Sequence, residues 1–387
     1  MSGLSIAGFP HSVIGADRRG FNVAADNLRF TADGVNLDVL WNEFQGVLSE
    51  WNRSRSAFAA LFTSNTIDPF FDLPAGESDI EFDLQSEFGV PTAGRPNVDV
   101  IRGGLPLVWR DKSSRFTRAY LRDASAEQVR GQHAAMLEAD NRRVFREVMA
   151  ALTTRSEVGN RPINENGQQI YDLWDGSTGE VPPSYAGRTF NSSHSHYLVS
   201  GANQIDSKDV EDLIATVQEH GYGVAASGER IMLLVNPFQA DAIQTWRANS
   251  PNANGAVAKY DYIPSVSAPA YLTEASIVGD AAPAAFNNLP IMGSYGDAWI
   301  HKSPFVPLGY VIAVATSGAG SARNPLLIRE HRTPGERGLI LRRSQGGAHP
   351  LVESIYERGM GVGVRHRGAA AVMQVKPSGS YESPIWT

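Results

Sequence analysis

Apolar residues recur at three- and four-residue spacing through Leu37, Leu40, Trp41, Phe44, Val47, Leu48, Trp51, Phe58, Leu61 and Phe62. That period predicts an amphipathic helix over about 37–62. Its apolar face carries two Trp and three Phe, so it must be buried against something. The segment ahead of it is mixed and glycine-containing and reads as an extended arm, with a short helix near Asp17–Phe30. Residues 64–96 read as loop, punctuated by Pro69, Pro74, Pro91 and Pro96. Two strand-like runs follow, Asn97–Arg102 and Ser114–Leu121, the second alternating Phe116, Arg118, Tyr120 and Arg122 on one side. A long two-stranded hairpin is the natural reading. Two strands alone are barely stable in water, so such an arm needs a partner surface.

Ser125 and Gln128 form a capping-box start, after which Val129, His133, Met136, Leu137, Val144, Phe145, Val148, Met149 and Leu152 keep helical period. A helix of about thirty residues spans roughly 45 Å and acts as a beam. Asp140 and Asn141 fall in its stripe and interrupt the packing. Residues 156–203 are polar, without period, and read as loops with short strands. From Asp206, an N-cap, a helix carries Val210, Leu213, Ile214 and Val217 and stops at Gly221. Strand Arg230–Val235 leads through Asn236-Pro237 into a helix expected to end near Ala248. Further strands are expected at 257–263, 298–302, 309–315, 325–331 and 338–343, and a nearly continuous strand from Leu351 to Val375, interrupted by glycines. The fold class is therefore α+β.

Composition narrows the function. Charged residues are 19% and hydrophobic residues 42% of 387, a globular balance low in charge, as suits surfaces hidden against copies of the same chain. The net charge of −7 argues against a nucleic-acid binder, but not against a container whose wall repels DNA. Of the 34 basic residues only five are Lys: Lys112, Lys208, Lys259, Lys302 and Lys376. Interface ion pairs and a GC-rich genome both give that bias. The absence of cysteine excludes disulfides, thiolate metal sites and a Cys nucleophile. Neither a signal peptide nor a membrane span is expected.

The order of arm, hairpin, long helix, α/β segment and returning C-terminal strands resembles the tailed-bacteriophage major capsid proteins, a fold shared with encapsulins and the herpesvirus capsid floor. The segment from Asp206 through Gly223, with Glu229–Pro237, looks like the α/β core of actinobacteriophage capsid proteins. The tail from Tyr356 to Val375, closing with Tyr381 and Pro384, is similar to their final strands. The resemblance implies an N-terminal arm with amphipathic helix over 1–78 and an E-loop hairpin region over 79–122. It implies a peripheral domain with spine helix and loop insertion over 123–204, an axial domain over 205–345, and C-terminal strands over 346–387. It implies self-assembly into pentamers and hexamers of an icosahedral shell around double-stranded DNA, held without sequence-specific binding and without a membrane. An encapsulin-like compartment is the alternative. A portal protein, a separate scaffolding protein and a decoration protein are the implied partners, with assembly in the host cytoplasm. No cleaved scaffolding segment is expected, because only residues 1–95 precede the hairpin. Arg110, Lys112, Arg115, Arg118, Trp41 and Trp51 are the expected inter-subunit contacts.

No catalytic, cofactor or metal site is expected. His194-Ser195-His196 has ligand spacing, but no third ligand lies nearby in sequence, and a solvated loop pair is the favoured reading. Gly359-Met360-Gly361-Val362-Gly363 lacks the Lys and the strand–turn–helix setting of a phosphate loop; glycines in a strand permit bending or close backbone approach. Glu81 with Asp83, and Asp172 with Asp175, are carboxylate pairs with no His or Lys companion. In some members of the resembled family an E-loop Lys joins a peripheral-domain Asn by an isopeptide bond, assisted by a Glu. Lys112, Glu353 and Glu357 stand in suitable segments, yet residues 325–387 contain no Asn. Purified particles should therefore run as monomer on a denaturing gel, and a ladder of multimers would contradict this.

Overall fold

The computed structural model describes residues 28–53, 57–75, 84, 89, 99–157, 159–265, 279–343, 349 and 351–386. The helix expected near Asp17–Phe30 falls on the part outside the described residues up to 27. The first described elements are α1 (Leu37–Arg53), α2 (Ala57–Phe62), β1 (Thr63–Thr66), β2 (Phe70–Ala75), β3 (Asp99–Gly104), β4 (Val108–Arg115), α3 (Arg118–Asp123) and α4 (Ala126–Thr153). Next come β5 (Tyr197–Val199), α5 (Ser207–Gln218), β6 (Arg230–Val235), α6 (Pro237–Ile243), β7 (Tyr262–Pro264), β8 (Ala285–Phe286) and β9 (Leu289–Pro290). The chain closes with β10 (Gly293–Tyr295), β11 (Ala298–Lys302), β12 (Tyr310–Thr316), β13 (Leu326–Glu330), β14 (Leu339–Arg343), β15 (Glu353–Val364) and β16 (Ala370–Gln374).

Two sheets organise the molecule. The seven-stranded sheet runs β5-β16-β12-β6-β11-β10-β7, and its central strand β6 is buried along nearly its whole length. Alternation divides its residues between two cores. Ile231, Leu233, Val235, Val311 and Ala313 face Val210, Leu213, Ile214 and Val217 of α5. Met232, Leu234, Ile312 and Val314 face Val148, Met149 and Leu152 of α4. The five-stranded sheet is built around β15, which pairs antiparallel with β4, β13 and β14, while β1 adds parallel to β13.

Helix α4 joins the two sheets. Its capping box at Ser125 and Gln128 forms as expected, and its 28 residues span about 42 Å. The C-terminal half packs in the core shared with the seven-stranded sheet, while Ala126, Val129 and Leu137 pack against α1, β14 and Tyr356. Its polar interruption has a partner. Buried Asp140 accepts a hydrogen bond from Arg358 Nη2 at 2.7 Å and another from Trp51 Nε1 at 3.3 Å, so one carboxylate ties α4 to β15 and α1.

Several sequence expectations are corrected. The 37–62 stripe is two helices, because Leu37, Leu40, Phe44 and Leu48 serve one core while Phe58, Leu61 and Phe62 serve another. Ser114–Leu121 is not one strand: β4 ends at Arg115, Thr117 caps α3 through Tyr120 N–H, and Phe116 stacks on Tyr120 four residues on, at 5.4 Å. Short helical and alternating patterns coincide over so few residues. Helix α6 ends at Ile243 rather than Ala248. The C-terminal run is two strands in different sheets, turning at 365–369.

The glycines of β15 allow close approach. A Cβ on Gly361 would run into the Pro106 carbonyl, and one on Gly359 would lie 2.7 Å from the Trp109 ring. Asp140→Ala should lower the stability of the unassembled subunit in urea by about 3–5 kcal/mol, because it leaves Arg358 buried without its carboxylate. Asp140→Leu combined with Arg358→Met should cost less than Asp140→Ala alone.

Candidate assembly surface

Strands β2 and β3 form a two-stranded ribbon outside both sheets, in register from Phe70–Gly104 to Ala75–Asp99. The hairpin expected from 97–102 and 114–121 is thus made by a different pair, with β2 taken from the segment read as loop. Most of its tip, 76–98, lies outside the described residues. Its root is fixed by polar contacts. Asn164 Nδ2 donates to Pro69 O at 2.8 Å, Arg329 Nη1 donates to Leu105 O at 2.8 Å, and Gly104 N donates to Gln169 O at 2.7 Å. The ribbon leaves Phe70, at the root, and Val100, toward the tip, exposed. Such a ribbon keeps its shape by leaning on another surface.

The second element is β4. It pairs with β15 along one edge, with Glu353 opposite Arg115 and Met360 opposite Val108. Among the described residues no strand covers its other edge, and only Ser114 of its side chains is buried. Exposed Val108 and Trp109 lie at its start. An open edge with apolar side chains invites another chain to dock. Sequence reasoning missed both residues, although the apolar run Leu105–Trp109 after Gly103-Gly104 was the available signal.

The expected contact residues divide. Arg115 pairs with Glu353 at 2.7 Å and Arg110 with Glu147 at 3.5 Å, both within the chain rather than held free for a neighbour. Lys112 is exposed, opposite Tyr356, and has no ion partner among the described residues. Glu357 is held by Arg342 at 2.7 Å. Trp41 and Trp51 are partly buried against the core of α1 and α4, so intrachain packing occupies much of each ring. Arg118 opens α3, and its side chain lies outside the described part. A third open feature went unread in the sequence. A cleft of about 640 Å³ runs along α4, lined by Phe58, Phe145, Arg146, Phe305, Ile385 and Trp386.

One buried histidine clamps these elements. His133 of α4 stacks on Phe44 of α1, with ring centroids 4.1 Å apart, and its Nδ1 lies 2.7 Å from the Tyr356 hydroxyl of β15. Burial pushes its pKa down to about 4, against a smaller upward pull from Glu43.

The histidine pair also needs correction. His196 is buried rather than solvated, and its Nδ1 donates to Ala370 O at 2.7 Å. His220, just beyond α5, brings its Nε2 to 2.9 Å from His194 Nε2, which is 3.3 Å from His196 Nε2. The third histidine was invisible because only the fold brings residue 220 beside 194. Asp172 and Asp175 are buried too. Ser156 N–H donates to Asp172, while Asp175 lies 3.7 Å from Arg161 in a network where Arg161 and Arg367 share Glu180. Glu81 and Asp83 lie outside the described residues.

No family model matches the chain, and no curated protein sequence matches it. A solved chain of Mycobacterium phage Patience is 34% identical, over 96% of this chain and 97% of that one, with a TM-score of 0.68. This chain belongs to the tailed-phage major capsid protein family. Lower likenesses are the capsid of an empty GTA particle (15% identity, 84% and 91% of the two chains, TM-score 0.46) and the SrpI encapsulin of Synechococcus elongatus (12%, 88% and 98%, 0.43). The capsid protein has the mixed helix and sheet fold expected of the family, and it is a shell subunit that assembles with copies of itself. No helix among its described residues is long and apolar enough to cross a membrane.

The capsid subunit should lose stability as pH falls from about 6.5 toward about 4. In that window the unfolded chain takes up a proton at His133 that the folded chain excludes, so the folded state loses ground. Urea midpoints of the wild type and His133→Gln across pH 7 to 4 should show a shallower decline in the variant.

Proposed function

We propose that this capsid protein forms pentamers and hexamers of an icosahedral shell around double-stranded DNA, without catalytic activity of its own. The observation that carries this reading is identity of 34% to the phage Patience chain over 96% of the length. In this reading the β2–β3 ribbon and its tip are the E-loop. Helix α4 is the spine of a peripheral domain built with the five-stranded sheet. The seven-stranded sheet with α5 and α6 is the core of the axial domain at the ring centres. Heterologous contacts repeated around five- and six-fold rings close such a shell, and the ribbon, the β4 edge and the α4 cleft are the surfaces that make them.

Lys112, on the open edge of β4, and the Arg110 and Arg115 pairs beside it face a neighbour in this arrangement. Exposed pairs contribute little singly, so the apolar Val108–Trp109 patch supplies the larger share of that contact. The protein is assembled in the host cytoplasm with a portal and a separate scaffolding protein, and a decoration protein can sit on the finished shell. Electron microscopy of particles carrying this protein should show shells with a portal vertex and packaged DNA. Small portal-free shells loaded with an enzyme would overturn the phage reading in favour of an encapsulin-like compartment.

A further inference from the structure

Three imidazoles from two separate segments of the chain converge on one point. His194 and His196 come from the loop leading into β5, and His220 follows α5. Their candidate ligand nitrogens all lie within 4.8 Å of one another. His194 Nε2 is 2.9 Å from His220 Nε2 and 3.3 Å from His196 Nε2, and Glu219 Oε1 is also 3.3 Å from it. A tetrahedral ion with metal–nitrogen bonds of about 2.0–2.1 Å sets its ligand atoms about 3.3 Å apart. The His194–His196 separation equals such an edge, and the His194–His220 separation is somewhat shorter.

Nitrogens facing each other make a poor hydrogen-bond arrangement. The Ala370 carbonyl is only an acceptor, so His196 Nδ1 carries the proton and its Nε2 presents a lone pair to the group. A single Nε2 proton on His194 cannot satisfy His196, His220 and Glu219 together. Neutral imidazole is the ligating form.

We propose that His194, His196 and His220 bind one divalent transition ion of the Zn²⁺ class, with water in the fourth position. The surrounding contacts have the form of an outer shell. The Ala370 carbonyl orients His196, and Glu219, held through Oε2 by Arg188 Nη2 at 2.6 Å, sets its Oε1 3.3 Å from His194 Nε2 beside the group. Phe190 stacks on His220 with centroids 4.1 Å apart and fixes its plane. Imidazole donors suit Zn²⁺, Co²⁺ and their neighbours rather than Ca²⁺ or Mg²⁺. The ion is structural. It fastens the 188–196 loop to the end of α5 beside β16, where no disulfide is available.

The test uses the full chain freed of metal by a chelator and then titrated with Co²⁺ alone. One equivalent should bind per chain with the intense visible absorption of tetrahedral Co²⁺, and Zn²⁺ should displace it. His194→Gln and His220→Gln should each weaken binding by at least about 100-fold while the folded chain keeps its far-ultraviolet spectrum. Chelation should lower the unfolding temperature of the wild type by several degrees and leave His220→Gln unchanged. X-ray absorption at the zinc edge of the wild type, which needs no variant to fold, should read three imidazoles. Failure of the wild type to take up Co²⁺, an octahedral spectrum, or binding by either variant as tight as the wild type's would each overturn the proposal.

Discussion

One strand holds the molecule in one piece. β15 is paired to β4 on one side and to β13 and β14 elsewhere along its length, and its Arg358 carries the carboxylate bond to α4. The glycines at 359, 361 and 363 are what permit this, since side chains there would collide with Trp109, Pro106 and Leu105. The ribbon root is fixed against the same region, because the Leu105 carbonyl it shares is held by Arg329 of β13, the neighbour of β15. A change in β15 is therefore felt at the open edge of β4 and at the base of the ribbon together. Those are the surfaces proposed above to meet neighbouring subunits.

Much of the fold was legible because local signals agreed with tertiary demand. The capping boxes at Ser125 and Asp206 start α4 and α5 where the sequence places them, and Asn236-Pro237 starts α6. The strands at 230–235 and 298–302 coincide with their apolar runs. What misled was pattern shared by two structures. The alternation from Phe116 to Arg122 also fits one helical turn and a half, and the stripe from Leu37 to Phe62 has a single period although it serves two cores. β2 was unreadable because a strand with Pro74 near its end looks like loop, and its pairing partner lies beyond a long tip.

The surface residues were harder to read than the core. Of the charged residues picked from the expected hairpin, Lys112 has no ion partner among the described residues, while Arg110 and Arg115 are held by carboxylates of the same chain, and sequence does not show where a long side chain bends. The two tryptophans pack inward because the stripe that suggested a contact is the stripe that builds the core. Val108, Trp109, Phe305 and Ile385 stand out only once burial is known. The histidines follow the same logic. Spacing supplied two of them, and the third depended on the helix end that the fold delivers.

The pairing of β4 with β15 joins residues 108–115 to 353–360, and β1 finds β13 across a comparable separation. At ordinary translation speeds the two halves of such a pair leave the ribosome roughly 10–50 s apart. Through that interval the edges of β1 and β4 lack their native partner strands. Long-range pairings of this kind also close slowly. The nascent chain thus has a waiting period in which sticky strands from many growing copies coexist. A subunit interrupted before its last forty residues cannot offer neighbours a finished face, so the shell is built from completed chains by default.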